Sequence, residues 1–269
     1  MGKKIIHYLC GLPRSGNTLL SSILNQNPNI ASTANSIITE MHKELYAVKK
    51  SDTFLNFPDH KSFDNVIKAV MKEYYKDWKQ EIIIDRGVWG APNNLKFLQH
   101  YVNPKPKIIV LVRDVLEILA SFIEWSDNNY DAFPNRIGTM DTEKRCEYLM
   151  GKDSLIVREL ICVKHLLDHQ SHLCKVIDYD NLVNKTEETI KDIYSFLEIK
   201  PFKHTFKNIK QFELNGMMYD DKAVGFNLHK IKTKDVSKTK RDINKVLPKT
   251  VIEKYKGLNI WETKTNEKK

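Results

Sequence analysis

Gly11, Pro13, Arg14, Ser15, Gly16, Asn17 and Thr18 lie in the stretch GLPRSGNT, and their types and spacing suit an anion. The apolar run IIHYLC comes before it and the amphipathic segment LLSSILNQ after it, so the order reads strand, turn, helix. Gly11 and Gly16 permit a tight turn whose N–H groups can face a phosphate or sulfate. Arg14 adds a forked donor matched to such oxygens, and the Thr18 hydroxyl is placed to donate to one. The nucleotide-triphosphatase pattern GxxxxGK[ST] needs Lys before its final hydroxyl residue, and Asn17 stands there. Taken alone, the turn has two readings: an anion cradle, or an ordinary strand–turn–helix with a surface arginine.

A second set lies about a hundred residues on. KIIVLVRDVLEILAS, residues 107 to 121, opens with a β-branched run of the kind buried on both faces of a parallel sheet. Arg113 falls at the carboxyl end of that strand, where open α/β sheets bind ligands. Ser121 follows about two helical turns later. A surface salt bridge from Arg113 to Asp114 or Glu117, and a small packing role for Ser121, are the competing readings. Asp114 itself has the type and position of a helix N-cap.

Together these segments resemble the sulfotransferase family. GLPRSGNTLL is similar to that family's 5′-phosphosulfate loop, and Arg113 with Ser121 matches its 3′-phosphate motif in type and spacing. VIDYDNL, at 176 to 182, resembles the family's strand-end Tyr-Glu-Asp-Leu pattern, which puts Tyr179 near the adenine. IIIDRGVWG, at 82 to 90, resembles the Asp-Lys-Ser-Arg-x-Trp segment of bacterial-type members, with Arg86 where a Lys would face the sulfuryl group. Arg in the phosphosulfate loop is shared with the tyrosylprotein branch.

The resemblance implies 3′-phosphoadenosine 5′-phosphosulfate (PAPS) as donor, in-line transfer to a hydroxyl or amine, and 3′,5′-ADP (PAP) as product. Such a transfer needs positioning and stabilisation of charge on the leaving phosphate. Arg14 is expected in that role, with Arg86 on the sulfuryl oxygens and no metal required. The basic segment 225 to 242 resembles the family's donor-covering stretch, making His229, Lys230, Ser237 and Lys238 candidate contacts. An acceptor hydroxyl also needs a base. The cytosolic small-molecule branch has a His after the corresponding motif's strand, near the place where Gly87 falls here; the tyrosylprotein branch has a Glu after the first helix, where Ala34 and Asn35 stand. Glu40 is the nearest carboxylate, with His42 two residues on, and Asp85, at a strand end expected to face the cleft, is the other contender.

These residues must be carried by an α/β fold. Strands are expected near 4–10, 81–85, 107–112 and 173–178. Helices are expected near 17–26, 36–49, 61–79, 92–101, 114–127, 141–149, 153–170 and 186–198. That alternation implies a mainly parallel sheet flanked by helices, one sulfotransferase-like domain over 1–269. The turn-rich stretch 128–140 is expected to be a mobile loop, and Leu258, Ile260 and Trp261 to dock the chain's end. The 269 residues are 41% hydrophobic, with a mean hydropathy of −0.46, ample for a core. No apolar run approaches the roughly 18 residues of a membrane span, and no signal-peptide h-region opens the chain, so a cytoplasmic protein is expected. The four cysteines, Cys10, Cys146, Cys162 and Cys174, have neither zinc nor disulfide spacing. The net charge of +9 is spread over scattered lysines without aromatic interleaving, which suits an anionic donor rather than a nucleic acid. The expected partners are a nucleotide and a hydroxyl or amine acceptor, with no membrane; no residue pattern encodes the acceptor or an oligomeric state. The alternatives are a P-loop nucleotide kinase or NTPase, which predicts a GK[ST] turn and a magnesium carboxylate that the sequence lacks, and a non-catalytic nucleotide-binding protein of the same fold.

Overall fold

The run IIVLV forms a strand, Ile108–Val112, in which every residue is buried. A strand with no solvent face must lie inside a sheet covered on both sides. The computed structural model, which describes residues 4–128, 139–219, 231, 236 and 241–262, has such a sheet. Its strands are β1 (Ile5–Gly11), β2 (Ile30–Ser32), β3 (Ile82–Arg86), β4 (Ile108–Val112) and β5 (Cys174–Asp178). They are parallel throughout, in the order β2-β3-β1-β4-β5. β1 is central, and the chain fills the sheet on one side of it before crossing to the other. The crevice between the carboxyl ends of β1 and β4 is therefore the topological switch point, where this class of sheet binds ligands.

Strand alternation sends side chains into two cores. Leu9, Ile84, Ile109, Leu111 and Ile177 face α1 (Asn17–Leu24), α9 (Tyr179–Asn184) and α10 (Thr186–Leu197). Tyr8, Cys10, Ile83, Val110 and Val112 face the other layer, built chiefly from α4 (His60–Tyr74), α5 (Pro92–Phe97), α6 (Val115–Asn128) and α8 (Leu155–His169). Around them lie α2 (Ile38–Val48), α3 (Asp52–Asn56), α7 (Thr142–Leu149), α11 (Ile243–Val246) and α12 (Lys249–Tyr255). Asp114 caps α6, its Oδ1 accepting from the Glu117 N–H at 2.9 Å, and its other oxygen accepts from Asn259 at 2.7 Å. That contact and the buried Trp261 tie the end of the described chain to α6.

The expected α/β architecture and its long elements are present. The differences are small. β2 is an additional short strand, α4 stops at Tyr74, and α5 runs on into a widened π-type turn over Leu98–Val102. Asn215 and Gly216, both at positive φ, close a small hairpin between β6 (Glu213–Leu214) and β7 (Met217–Met218). Among the described residues no helix is long and apolar enough to cross a membrane.

Candidate active site

The loop begins where β1 and β4 run closest. A Cβ on Gly11 would lie 2.1 Å from the Leu111 carbonyl oxygen, and its φ of 143° is outside the range L side chains favour. Only glycine allows this approach. Beyond it, Ser15 Oγ and Asn17 Nδ2 both donate to the Leu12 carbonyl, so these two side chains hold the turn's shape. Arg14 sits at φ 60°, a left-handed conformation that costs a non-glycine residue about 1–2 kcal/mol. Gly16, at φ 90°, leads into α1; a Cβ there would meet Leu182 at 3.0 Å and Tyr179 at 3.2 Å. The loop is therefore packed beneath the start of α9.

The three motifs meet here. Arg113, 5% exposed, reaches back from the end of β4, and its Nη1 donates to the Arg14 carbonyl at 2.8 Å. Its Nε donates to Glu117 at 3.0 Å, and its guanidinium stacks 4.1 Å from the centre of the Tyr179 ring. Arg14 Nε in turn donates to Ser121 Oγ at 3.1 Å. Arg113 thus does pair with Glu117, as one of the two competing readings had it, and also bridges to the loop. Ser121 is buried yet borders the cavity.

That cavity, of about 740 Å³, opens over the crevice. Gly11, Pro13, Arg14, Gly16, Asn17 and Thr18 border it on one side, with Arg113, Ser121 and Tyr179 next to them. Arg86 enters from the end of β3, its Nη1 donating to the Ala34 carbonyl at 3.1 Å and to the Asn35 side chain. Glu40, exposed in the first turn of α2, also borders it.

Asp85 does not face the cleft, contrary to the sequence expectation. Successive strand residues point to opposite faces, and Asp85 takes the face away from Arg86. It is fully buried and accepts from Trp89 Nε1 at 3.0 Å, from Ser36 Oγ at 2.9 Å and from the Tyr75 hydroxyl. Burial pushes its carboxyl up to about 6, against the pull of those three donors. His42 is likewise in the core, against Trp89, and burial lowers its pKa to about 3, leaving the ring neutral. Ser237 and Lys238, with His229 and Lys230, lie outside the described residues, as does most of the 128–140 loop.

One carboxylate in the wall escaped the sequence reading. Glu159 of α8 is 5% exposed, borders the cavity, and has its Oε2 buried with no hydrogen-bond partner among the described residues. Desolvation pushes its pKa up to about 7, opposed by the charges of Arg86 and Arg158. A signal existed: Ile156, Glu159, Val163 and Leu166 share one helical stripe, so a carboxylate sits where an apolar residue is expected.

Residues 8–204 match the model of the sulfotransferase family. This chain belongs to the sulfotransferase family. No curated protein matches its sequence. Its fold is similar to that of mouse sulfotransferase SULT7A1, a structure complexed with PAP, at 14% identity and a TM-score of 0.57, covering 98% of this chain and 88% of that one. It is also similar to the sulfotransferase domain of the curacin biosynthetic pathway, at 16% identity and a TM-score of 0.52, covering 96% and 92%. The sulfotransferase domain of the Synechococcus PCC 7002 olefin synthase gives 16% and 0.50, covering 84% and 86%. The sulfotransferase is thus an enzyme of sulfuryl transfer on a five-stranded parallel sheet.

Proposed function

We propose that this sulfotransferase takes its sulfuryl group from PAPS and passes it to a hydroxyl or amine, leaving PAP. The observation that carries this reading is the junction of Arg14, Arg113 and Ser121, which sets two anion-binding groups side by side on adjacent strand ends. The loop N–H groups and Thr18 hold the 5′-phosphate. Arg14 balances the charge that grows on that phosphate as the S–O bond breaks, and Arg86 holds the sulfuryl oxygens. Arg113 and Ser121 grip the 3′-phosphate, and Tyr179 lies against the adenine. Gly11, Pro13, Ser15, Gly16 and Asn17 shape the turn, and Ser237 and Lys238, outside the described residues, are further candidate donor contacts. Arginines supply the balancing charge, so the transfer requires no metal. The rest of the wall includes Ile37, Tyr74, Val88, Phe122 and Leu155, which suits an acceptor with an apolar body. Free thiols at the cysteines are in keeping with a cytoplasmic setting.

Calorimetric titration with 3′,5′-ADP, beside ATP–magnesium and 5′-AMP, tests the donor. Metal-independent binding of 3′,5′-ADP is expected, with 5′-AMP much weaker. Arg113→Ala should lose about 1.5–3 kcal/mol of binding, roughly 10- to 100-fold in affinity, because it removes a charge-assisted contact. A preference for ATP–magnesium would return the loop to the nucleotide kinase class. Binding of 3′,5′-ADP with no transfer from PAPS to any acceptor would favour a non-catalytic nucleotide-binding protein.

A further inference from the structure

We infer that Glu159 is the proton acceptor for the attacking hydroxyl; the assignment rests on the donor reading just proposed. A carboxylate taken out of water is costly unless it is paired and hydrogen-bonded, so one kept in a cavity wall without donors points to a use. Asp85 shows the ordinary solution in this same fold, with Ser36, Tyr75 and Trp89 all donating to it. Among the described residues no such donors are seen at Glu159 Oε2. The residue is buried to 5% exposure and stands in the wall of the sulfuryl-transfer cavity. Arg86, the cation proposed for the sulfuryl oxygens, lines the same cavity and is close enough to act on Glu159 by charge, so the site offers both a sulfuryl anchor and a carboxylate.

The charges that act on Glu159 are those of Arg86 at the end of β3 and Arg158 on its own helix; Glu159 in turn raises the thiols of Cys10 in β1 and Cys162 in α8. Burial holds both thiols protonated, with Cys162 pushed up to about 12, so neither competes for the proton near neutrality. A base whose pKa lies close to the working pH combines a useful ionised fraction with proton affinity, and burial holds Glu159 at about 7. In the step itself the acceptor oxygen forms a bond to sulfur. The bond from sulfur to the 5′-phosphate oxygen breaks, and its electron pair stays on 3′,5′-ADP. The hydroxyl proton passes to a carboxylate oxygen of Glu159, which later releases it to water.

Glu40, exposed at the cavity's other edge, is the competing base. Carboxyl-carbon NMR of glutamate-labelled protein, with Glu159→Gln to assign the resonance, reads the titration directly. Release of 3′,5′-ADP from PAPS is then followed from about pH 5 to about pH 9, with 4-methylphenol, which keeps its proton across that range, and with water as acceptors. Glu159 should titrate near neutrality, and turnover should rise with its ionisation. Glu159→Gln should lose about 10²- to 10⁴-fold in turnover and the acid limb of the profile, while keeping its affinity for 3′,5′-ADP. Glu159→Asp should recover part of the rate, and Glu40→Gln should leave the acid limb in place. A Glu159 resonance titrating in the ordinary glutamate range would overturn the assignment. So would turnover of Glu159→Gln within a few-fold of wild type while 3′,5′-ADP still binds. Wild-type protein that binds no 3′,5′-ADP would sink the donor reading itself, and the assignment with it.

Discussion

Replacing Glu159 by Gln should stabilise the ligand-free enzyme above neutrality. The carboxyl ionises at 4.5 in an ordinary setting and at about 7 in the fold. Below the lower value both the folded and the unfolded chain carry the proton, and the side chain costs nothing. As the pH rises past it, the unfolded chain gives up its proton while the folded one holds on, so the fold loses stability steadily. The loss is complete once the pH has passed about 7 and the buried group is ionised in both states. At about 1.4 kcal/mol per pH unit, that gap is worth about 3 kcal/mol. Gln is nearly isosteric and does not titrate, so the variant lacks this loss across the window. Urea unfolding of both proteins at about pH 4 and about pH 8 measures this. The difference between them should grow by about 3 kcal/mol between the two conditions, or roughly 6–12 °C in melting temperature for a chain of this size. Asp85 titrates in both proteins and cancels. Parallel stability curves would refute the placement of Glu159 as a buried carboxylate.

Two further substitutions separate structure from function. Asp85→Ala should destabilise the fold by about 2–4 kcal/mol, because the buried Tyr75 hydroxyl and the part-buried Ser36 hydroxyl would lose their acceptor, while Trp89 Nε1 would keep only the backbone carbonyl of that position. Its affinity for 3′,5′-ADP should be unchanged; unaltered melting with abolished turnover would instead return Asp85 to the chemistry. Gly16→Ala forces a side chain into a φ of 90° and against Tyr179 and Leu182. It should cost about 1–3 kcal/mol in stability and weaken 3′,5′-ADP binding at the same time, and calorimetry showing wild-type affinity would count against the loop as the phosphate cradle.

Much of this fold was legible because its signals are local. IIVLV could only be a doubly covered strand, and GLPRSGNT between an apolar run and an amphipathic one could only be a strand–turn–helix. What escaped depends on partners distant in sequence. β2 is three residues, IAS, too short to show a period, and exists because β3 pairs with it. Asp85 looked like a cleft residue because it ends a strand, but strand alternation turns it to the other face, where Ser36, forty-nine residues earlier, joins Tyr75 and Trp89 in donating to it. Glu159 was overlooked for the opposite reason: a charged residue in a helix reads as solvated, and only its place in the apolar stripe of α8 marks it as buried. The residues proposed to hold the donor stood out in the sequence because their types alone, Gly, Arg and Ser, suit anion chemistry, whereas a base is defined by its surroundings.

The direct pairing of β1 with β4, with Gly11 level with Leu111, makes the sheet a gauge. The loop that ends one strand and the arginine that ends the other are separated by a single strand spacing, about 4.8 Å in any sheet. On the donor reading, the ligand is recognised by the distance between its two phosphates as much as by either one. The calibration lies in the backbone register of β1 and β4 rather than in any side chain. A slip of one residue between β1 and β4 would carry Arg113 about 3.3 Å along the loop. Discrimination against a nucleotide phosphorylated at another position would then vanish, though no ligand-binding side chain had been changed.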